Sequence, residues 1–155
     1  MSSRKPYAVT PTRQMTENNL IRSIGFYIGD LPSGSPALYV GGETGFEAVR
    51  PMKIRALRAR CLDTGATSGD ASTFTLRNVT KSAIAYVVTL TSDGTSPTWI
   101  AGEDTSENNA HASEFDVGDY WRVEPTTDDA TNMIYHQFEI ELEEYVPYIK
   151  RAKEA

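Results

Sequence analysis

The chain has little of what most catalytic and metal-binding proteins are recognised by. Its 155 residues contain one cysteine and two histidines. The lone Cys61 excludes an intrachain disulfide and a multi-cysteine metal site, and such a residue usually fills a small buried apolar position. No window approaches the roughly 20 consecutive apolar residues of a membrane-spanning helix. The basic start Met1-Ser2-Ser3-Arg4-Lys5-Pro6 has no apolar stretch behind it, so the N-terminus does not read as a signal peptide. Without secretion, the sequon Asn78-Val79-Thr80 means little. Helical periodicity of useful length is missing, and so is a Gly-x-Ser-x-Gly nucleophile elbow. Gly41-Gly42-Glu43-Thr44-Gly45 lacks the Lys-Ser/Thr ending of a phosphate loop and reads as a turn. Glu103, Asp104 and Glu107, and the pair Asp128 and Asp129, lack the spacing of a calcium loop and read as solvated acids. His111 has no second histidine at metal-ligand spacing. No enzymatic activity, catalytic residue, metal or cofactor is expected.

What is present is two-residue alternation. Ile134, His136, Phe138, Ile140 and Leu142 share one parity, and Met133, Tyr135, Gln137, Glu139 and Glu141 share the other. Successive strand side chains point to opposite faces, so this is a half-buried antiparallel strand with His136 as a core histidine. The same pattern predicts strands over Leu20 to Ile28 (Ile24, Phe26 and Ile28 inward), Thr73 to Thr80 (Phe74 and Leu76 inward) and Ile84 to Ser92 (Ile84, Tyr86, Val88 and Leu90 inward). Shorter strands are expected at Ala37 to Val40 and from Thr98. Ala112 to Val117 and Tyr120 to Glu124 read as a hairpin around Gly118-Asp119, where Gly118 permits a positive φ and Asp119 can bond nearby amides. Met52 to Leu62 changes parity midway: Lys53 and Arg55 are odd, Arg58 and Arg60 even. Either a β-bulge near Ala56-Leu57 restores one inner face, or the strand is buried on both sides. About eight strands with turns at this spacing predict an all-β antiparallel sandwich over residues 19–145. An extended N-terminal arm, residues 1–18, and a short tail, residues 146–155, flank it.

Net charge is −6 and unevenly placed. Residues 1–60 carry nine Lys/Arg against four Asp/Glu, and residues 61–142 carry three against fourteen. Such polarity suits packing of like subunits or docking onto a charged assembly; it also suits ordinary solvated strand faces. The acidic bulk argues against nucleic-acid binding. Trp99, Trp121, Tyr120, Tyr27, Tyr39 and Tyr135 leave two readings open, a subunit interface or a sugar-binding surface.

Thr73 to Leu142 resembles a jelly-roll sandwich domain of tailed-bacteriophage virion proteins. The residues carrying the resemblance are Thr73-Phe74-Thr75-Leu76-Arg77-Asn78, the Thr-rich Tyr86-Val87-Val88-Thr89-Leu90-Thr91, the loop Thr105-Ser106-Glu107-Asn108-Asn109, Phe115 to Val123 around the Gly-Asp turn, and Tyr135 to Leu142. The turn is also similar to one in trimeric tumour-necrosis-factor-like and complement-like domains. The resemblance implies a jelly roll, commonly trimeric, without enzymatic activity, serving as a capsid decoration, head fibre, or tail and fibre module. The expected role is a virion structural protein, a capsid decoration (cement) subunit meeting itself and the major capsid protein. The alternative is a tail or fibre module binding a host-surface glycan. Arg4, Lys5, Arg13, Tyr27, Tyr135 and Tyr148 are the expected subunit or capsid contacts. Neither nucleic acid nor a membrane is an expected partner.

Overall fold

A computed structural model describes residues 20–28, 39–63, 71–91, 98–105, 111–127 and 134–145. Every regular element among them is a strand: β1 (Leu20–Ile28), β2 (Phe46–Glu47), β3 (Met52–Asp63), β4 (Ala71–Asn78), β5 (Ala83–Thr91), β6 (Ile100–Ala101), β7 (Glu103–Asp104), β8 (Glu114–Phe115), β9 (Tyr120–Thr127) and β10 (Ile134–Glu144). They form two antiparallel sheets. The first runs β1-β10-β3-β6, with β8 also on β3; the second runs β2-β9-β4-β5-β7. Set aside the two-residue β7 and β8, and the remaining eight strands cross between the sheets in jelly-roll order.

Alternation explains the core. Phe138, Ile140 and Leu142 of β10 are sealed between the layers with Ile54, Leu57 and Ala59 of β3 and Phe74 and Leu76 of β4. Phe138 stacks on Phe26 of β1 at 4.7 Å between centroids and meets Phe74 of the other sheet at 5.4 Å. His136 is fully buried, with Nε2 2.9 Å from Ser72 Oγ, and Cys61 is buried too.

The parity change in β3 is a bulge. Glu141 lies opposite Ala56 and Leu142 opposite Ile54, so Arg55 is the extra residue. Ile54 and Leu57 therefore both face inward, while Ala56 is only half-buried. A second bulge, not foreseen, pairs Leu76 with Tyr86 but Arg77 with Ile84. It buries Ala85 and turns Ile84, expected inward, toward the outer surface. The buried Tyr86 donates its hydroxyl to the Arg55 carbonyl at 2.9 Å. Burial, reinforced by the Asp104 carboxylate, pushes this phenol up to about 12.

Two local expectations change. The segments around Gly118-Asp119 do not pair as a hairpin, because β8 joins β3 in the first sheet and β9 joins β4 and β2 in the second. The turn itself is as expected: Gly118 has φ +89° and Asp119 Oδ2 accepts the Asp116 amide at 2.9 Å. It also docks on another loop, where Gly118 N donates to the Ala48 carbonyl and Ala48 N to the Asp119 carbonyl, both at 2.8 Å. Of the short strand expected at Ala37 to Val40, the described residues contain one bridge, Val40 to Val123. The sheet edge falls instead at Phe46–Glu47. Gly41 to Gly45 is a turn, closed by Gly45 N donating to the Gly41 carbonyl at 3.1 Å.

Candidate interaction surface

Three surfaces flank this core. On the outer face of the first sheet, the arginines of β3 meet the glutamates of β10. Arg58 Nη2 lies 2.8 Å from Glu139 Oε1, and Arg55 reaches Glu143 at 3.2 Å and Glu141 at 3.8 Å. Arg55 and Arg58 of the basic early chain are thus neutralised across strands by glutamates of β10. Much of the charge polarity is internal to the sheet and not on offer to a partner. Arg60 departs from the pattern: its Nε donates to the neutral Oε1 of Gln137 at 2.7 Å. Trp99, one residue before β6, lies against both arginines, its ring centroid 4.7 Å from the Arg60 guanidinium carbon and 4.9 Å from that of Arg58.

The outer face of the second sheet has a shallow polar groove of about 570 Å³, lined by Arg77, Arg122, Glu124 and Thr126 among others. Glu124 is almost fully buried beneath two guanidiniums, with Arg77 Nε at 3.0 Å and Arg122 Nη2 at 2.7 Å. Arg122 also sits 4.0 Å over the Tyr39 ring. A carboxylate clamped this way is a structural ion pair, held by two guanidiniums.

The third surface is the open side of the sandwich, between the edge strands β1 and β2. A cleft of about 220 Å³ there exposes parts of Phe26, Phe46, Val49 and Met52, with Arg22 and Glu144 at its rim. Phe26 and Phe46 close its floor at 6.0 Å between centroids. Glu144 keeps the inward parity of β10 beyond Leu142 and, although buried, is bonded by Arg22. Leu20, on the cleft-facing parity of β1 opposite Glu144, and Val49 stand out around this opening at 44% and 72% exposure, while Ile21 points to the outer face of the first sheet opposite Glu143. Among the described residues the outer edge of β1 has no strand partner. A nine-residue edge with no described partner on that side and with apolar neighbours is adhesive.

The expected contact residues fall as follows. Tyr27 and Tyr135 are exposed, at 59% and 44%, on the outer face of the first sheet. Tyr135 has φ +59°, a left-handed conformation uncommon for a residue with a side chain. Arg4, Lys5, Arg13 and Tyr148 lie outside the described residues, as do Glu107, Asp128 and Asp129. Trp121, counted among the aromatics open to a partner, is a core residue packed 4.8 Å from Phe46. Its parity with Val123 was the available signal. The sequon asparagine Asn78 is fully buried: its Nδ2 donates to the Ala112 and Glu114 carbonyls, and its Oδ1 accepts the Lys81 amide. Among the described residues, no three His, Cys, Asp or Glu side chains are grouped to hold a metal ion. Sequence reasoning missed Leu20, Val49, Arg60 and Gln137. For the last two, the charges alternating along β3 and β10 were the signal, once the two strands were known to pair.

No family profile and no curated protein matches the chain. Among solved structures, it is similar to the infectious bursal disease virus VP2 subviral particle, with 10% identity and a TM-score of 0.37, covering 83% of this chain and 33% of that one. The structure of the infectious bursal disease virus Gx strain gives 10% identity and a TM-score of 0.36 over 85% and 34%. The particles derived from the same virus with T=1 symmetry give 9% and 0.35 over 85% and 37%. The chain spans about a third of the length of these proteins. At this identity and TM-score they speak for neither family nor activity.

Proposed function

We propose that the chain is a non-enzymatic structural protein of a tailed-phage virion, and within it a capsid decoration subunit that assembles as a homotrimer on the major capsid protein. The observation that carries this reading is the open side of the jelly roll. A nine-residue edge with no strand partner among the described residues, an apolar cleft and the exposed aliphatic side chains Leu20 and Val49 lie together. Monomeric proteins rarely leave such a combination uncovered. The N-terminal arm, residues 1–18, adds contacts through Arg4, Lys5 and Arg13, and Tyr148 of the tail adds another. The mechanism is linkage. A subunit that binds only the assembled shell stabilises that state by mass action.

The test uses heads stripped of the protein and the purified chain. The wild type cosediments saturably with heads and raises the temperature at which they rupture. Leu20→Asp combined with Val49→Asp, and separately deletion of residues 1–18, keep the β-sheet circular dichroism and lose binding. Full binding by the double variant contradicts docking through the open side, and full binding by the truncated chain removes the arm from the account.

A further inference from the structure

We propose that the outer face of the first sheet carries a binding row for a carboxylate-bearing oligosaccharide, formed by Tyr27, Gln137, Arg60 and Trp99. This goes beyond docking to a shell and uses a different face of the sandwich. Register aligns the row: Tyr27 lies opposite Gln137, Gln137 opposite Arg60, and Ile100, just after Trp99, opposite Ala59. Their inward neighbours Ala59, Cys61, His136 and Phe138 are buried, which turns Arg60 and Gln137 to the outer surface. Four positions on adjacent strands place the two end aromatics roughly 14 Å apart at about 4.8 Å per strand, near the length of a trisaccharide.

The chemistry along the row is that of a sugar site. Tyr27 is exposed at one end, and Tyr135 flanks it on the same face with its strained backbone. Aromatic rings accept the C–H faces of sugars at low entropic cost, and polar groups between them select the hydroxyls. Gln137 uses Oε1 to accept from Arg60, and its amide N–H groups bond to no described residue. Arg60 is the one outward arginine of β3 with no carboxylate in salt-bridge range among the described residues; Arg55 has two and Arg58 one. Its Nε is engaged by Gln137, which leaves the two terminal nitrogens, a fork that fits a carboxylate. Charge complementarity therefore selects an acidic sugar over a neutral one. A protein partner fits less well, because interface cores are contiguous apolar patches and these aromatics are separated by an amide and a charge.

The experiment is isothermal titration of the full chain with trigalacturonate and with sialyllactose, using maltotriose and lactose as neutral counterparts. At least one acidic probe binds saturably, and its neutral counterpart binds at least roughly tenfold more weakly, the margin a charge-assisted pair supplies. Arg60→Gln removes that preference, Arg60→Lys keeps part of it, and Tyr27→Ala weakens binding at a position too exposed to unfold the sheet. The probe that binds tells a uronate from a sialic acid. Three results overturn the proposal: no saturable binding of either acidic probe, equal binding of acidic and neutral probes, or affinity unchanged in both Arg60→Gln and Tyr27→Ala. None of these bears on shell binding through the open side, which the Leu20 and Val49 variants test separately.

Discussion

Phe138 of β10 and Phe74 of β4 meet across the two sheets, ring centroids 5.4 Å apart at 45°, both with no exposed surface. This pair joins the layers at the centre of the jelly roll. Removing one ring leaves a cavity that neighbouring strands cannot close without breaking ladder pairs. Phe138→Ala is expected to cost about 3–5 kcal/mol, the usual range for a buried phenylalanine. Urea unfolding followed by circular dichroism measures it. A cost under about 1 kcal/mol would mean that the layers are not packed at this point.

Gly45 and Gly118 both have positive φ but differ in surroundings. A Cβ on Gly45, at φ +96°, would stand 2.6 Å from the Trp121 carbonyl oxygen, a backbone atom that cannot swing aside. A Cβ on Gly118, at φ +89°, would meet nothing within 4 Å. Gly118→Ala therefore costs about 1–2 kcal/mol of conformational strain alone. Gly45→Ala costs more, because β2 must leave β9 to relieve the clash. Paired thermal melts check the order; equal melting points in the two variants contradict it.

Asn78 ties three backbone groups together from a fully buried position. Asn78→Ala strands these partners and is expected to destabilise by about 2–4 kcal/mol, from roughly 1 kcal/mol or more for each bond lost. The same burial closes the sequon. Expressed through a secretory route, the folded chain stays unglycosylated at Asn78, and intact-mass spectrometry shows whether it does.

How much of this could be read from the sequence depended on whether the cause was local. The β10 run around Phe138 was legible because one strand's alternation is written in consecutive residues. So were the Gly118-Asp119 turn, whose bonds are local, and the β3 bulge, where the arginines change parity. The second bulge was not legible. Ala85 is buried and Ile84 turned out only because of where Arg77 falls in the partner strand, seven residues earlier in the chain. The hairpin reading of Gly118-Asp119 failed for a related reason: the turn docks on Ala48, and its flanking segments leave for different sheets. The candidate surfaces were least legible. The charge polarity of the two halves suited either a surface for partners or ordinary solvated strand faces, and Arg55 and Arg58 engage Glu141, Glu143 and Glu139 within one sheet. The open side combines Leu20 and Val49 from distant segments, and no window of sequence contains both.

Tyr86 makes stability depend on alkaline pH. Its phenol titrates near 10.0 when unfolded and about 12 when folded. Between those values the folded chain holds a proton that the unfolded chain has released, so stability falls as pH rises. The contribution is complete below pH 10 and is lost as pH passes through the folded value. Denaturant midpoints should decline from pH 10 upward in the wild type. Tyr86→Phe, less stable at neutral pH for lack of the hydroxyl bond to Arg55, should decline less steeply. Parallel slopes for the two proteins contradict the assignment.

The central claim is that this jelly roll serves a virus particle as a repeated structural subunit on its shell. Quantitative mass spectrometry of purified particles, with the major shell protein as internal standard, tests it most directly. The expected copy number is of the same order as that of the shell subunits, falling sharply in particles that encode Leu20→Asp with Val49→Asp. Particles that contain none of the chain, or only a handful of copies each, contradict it.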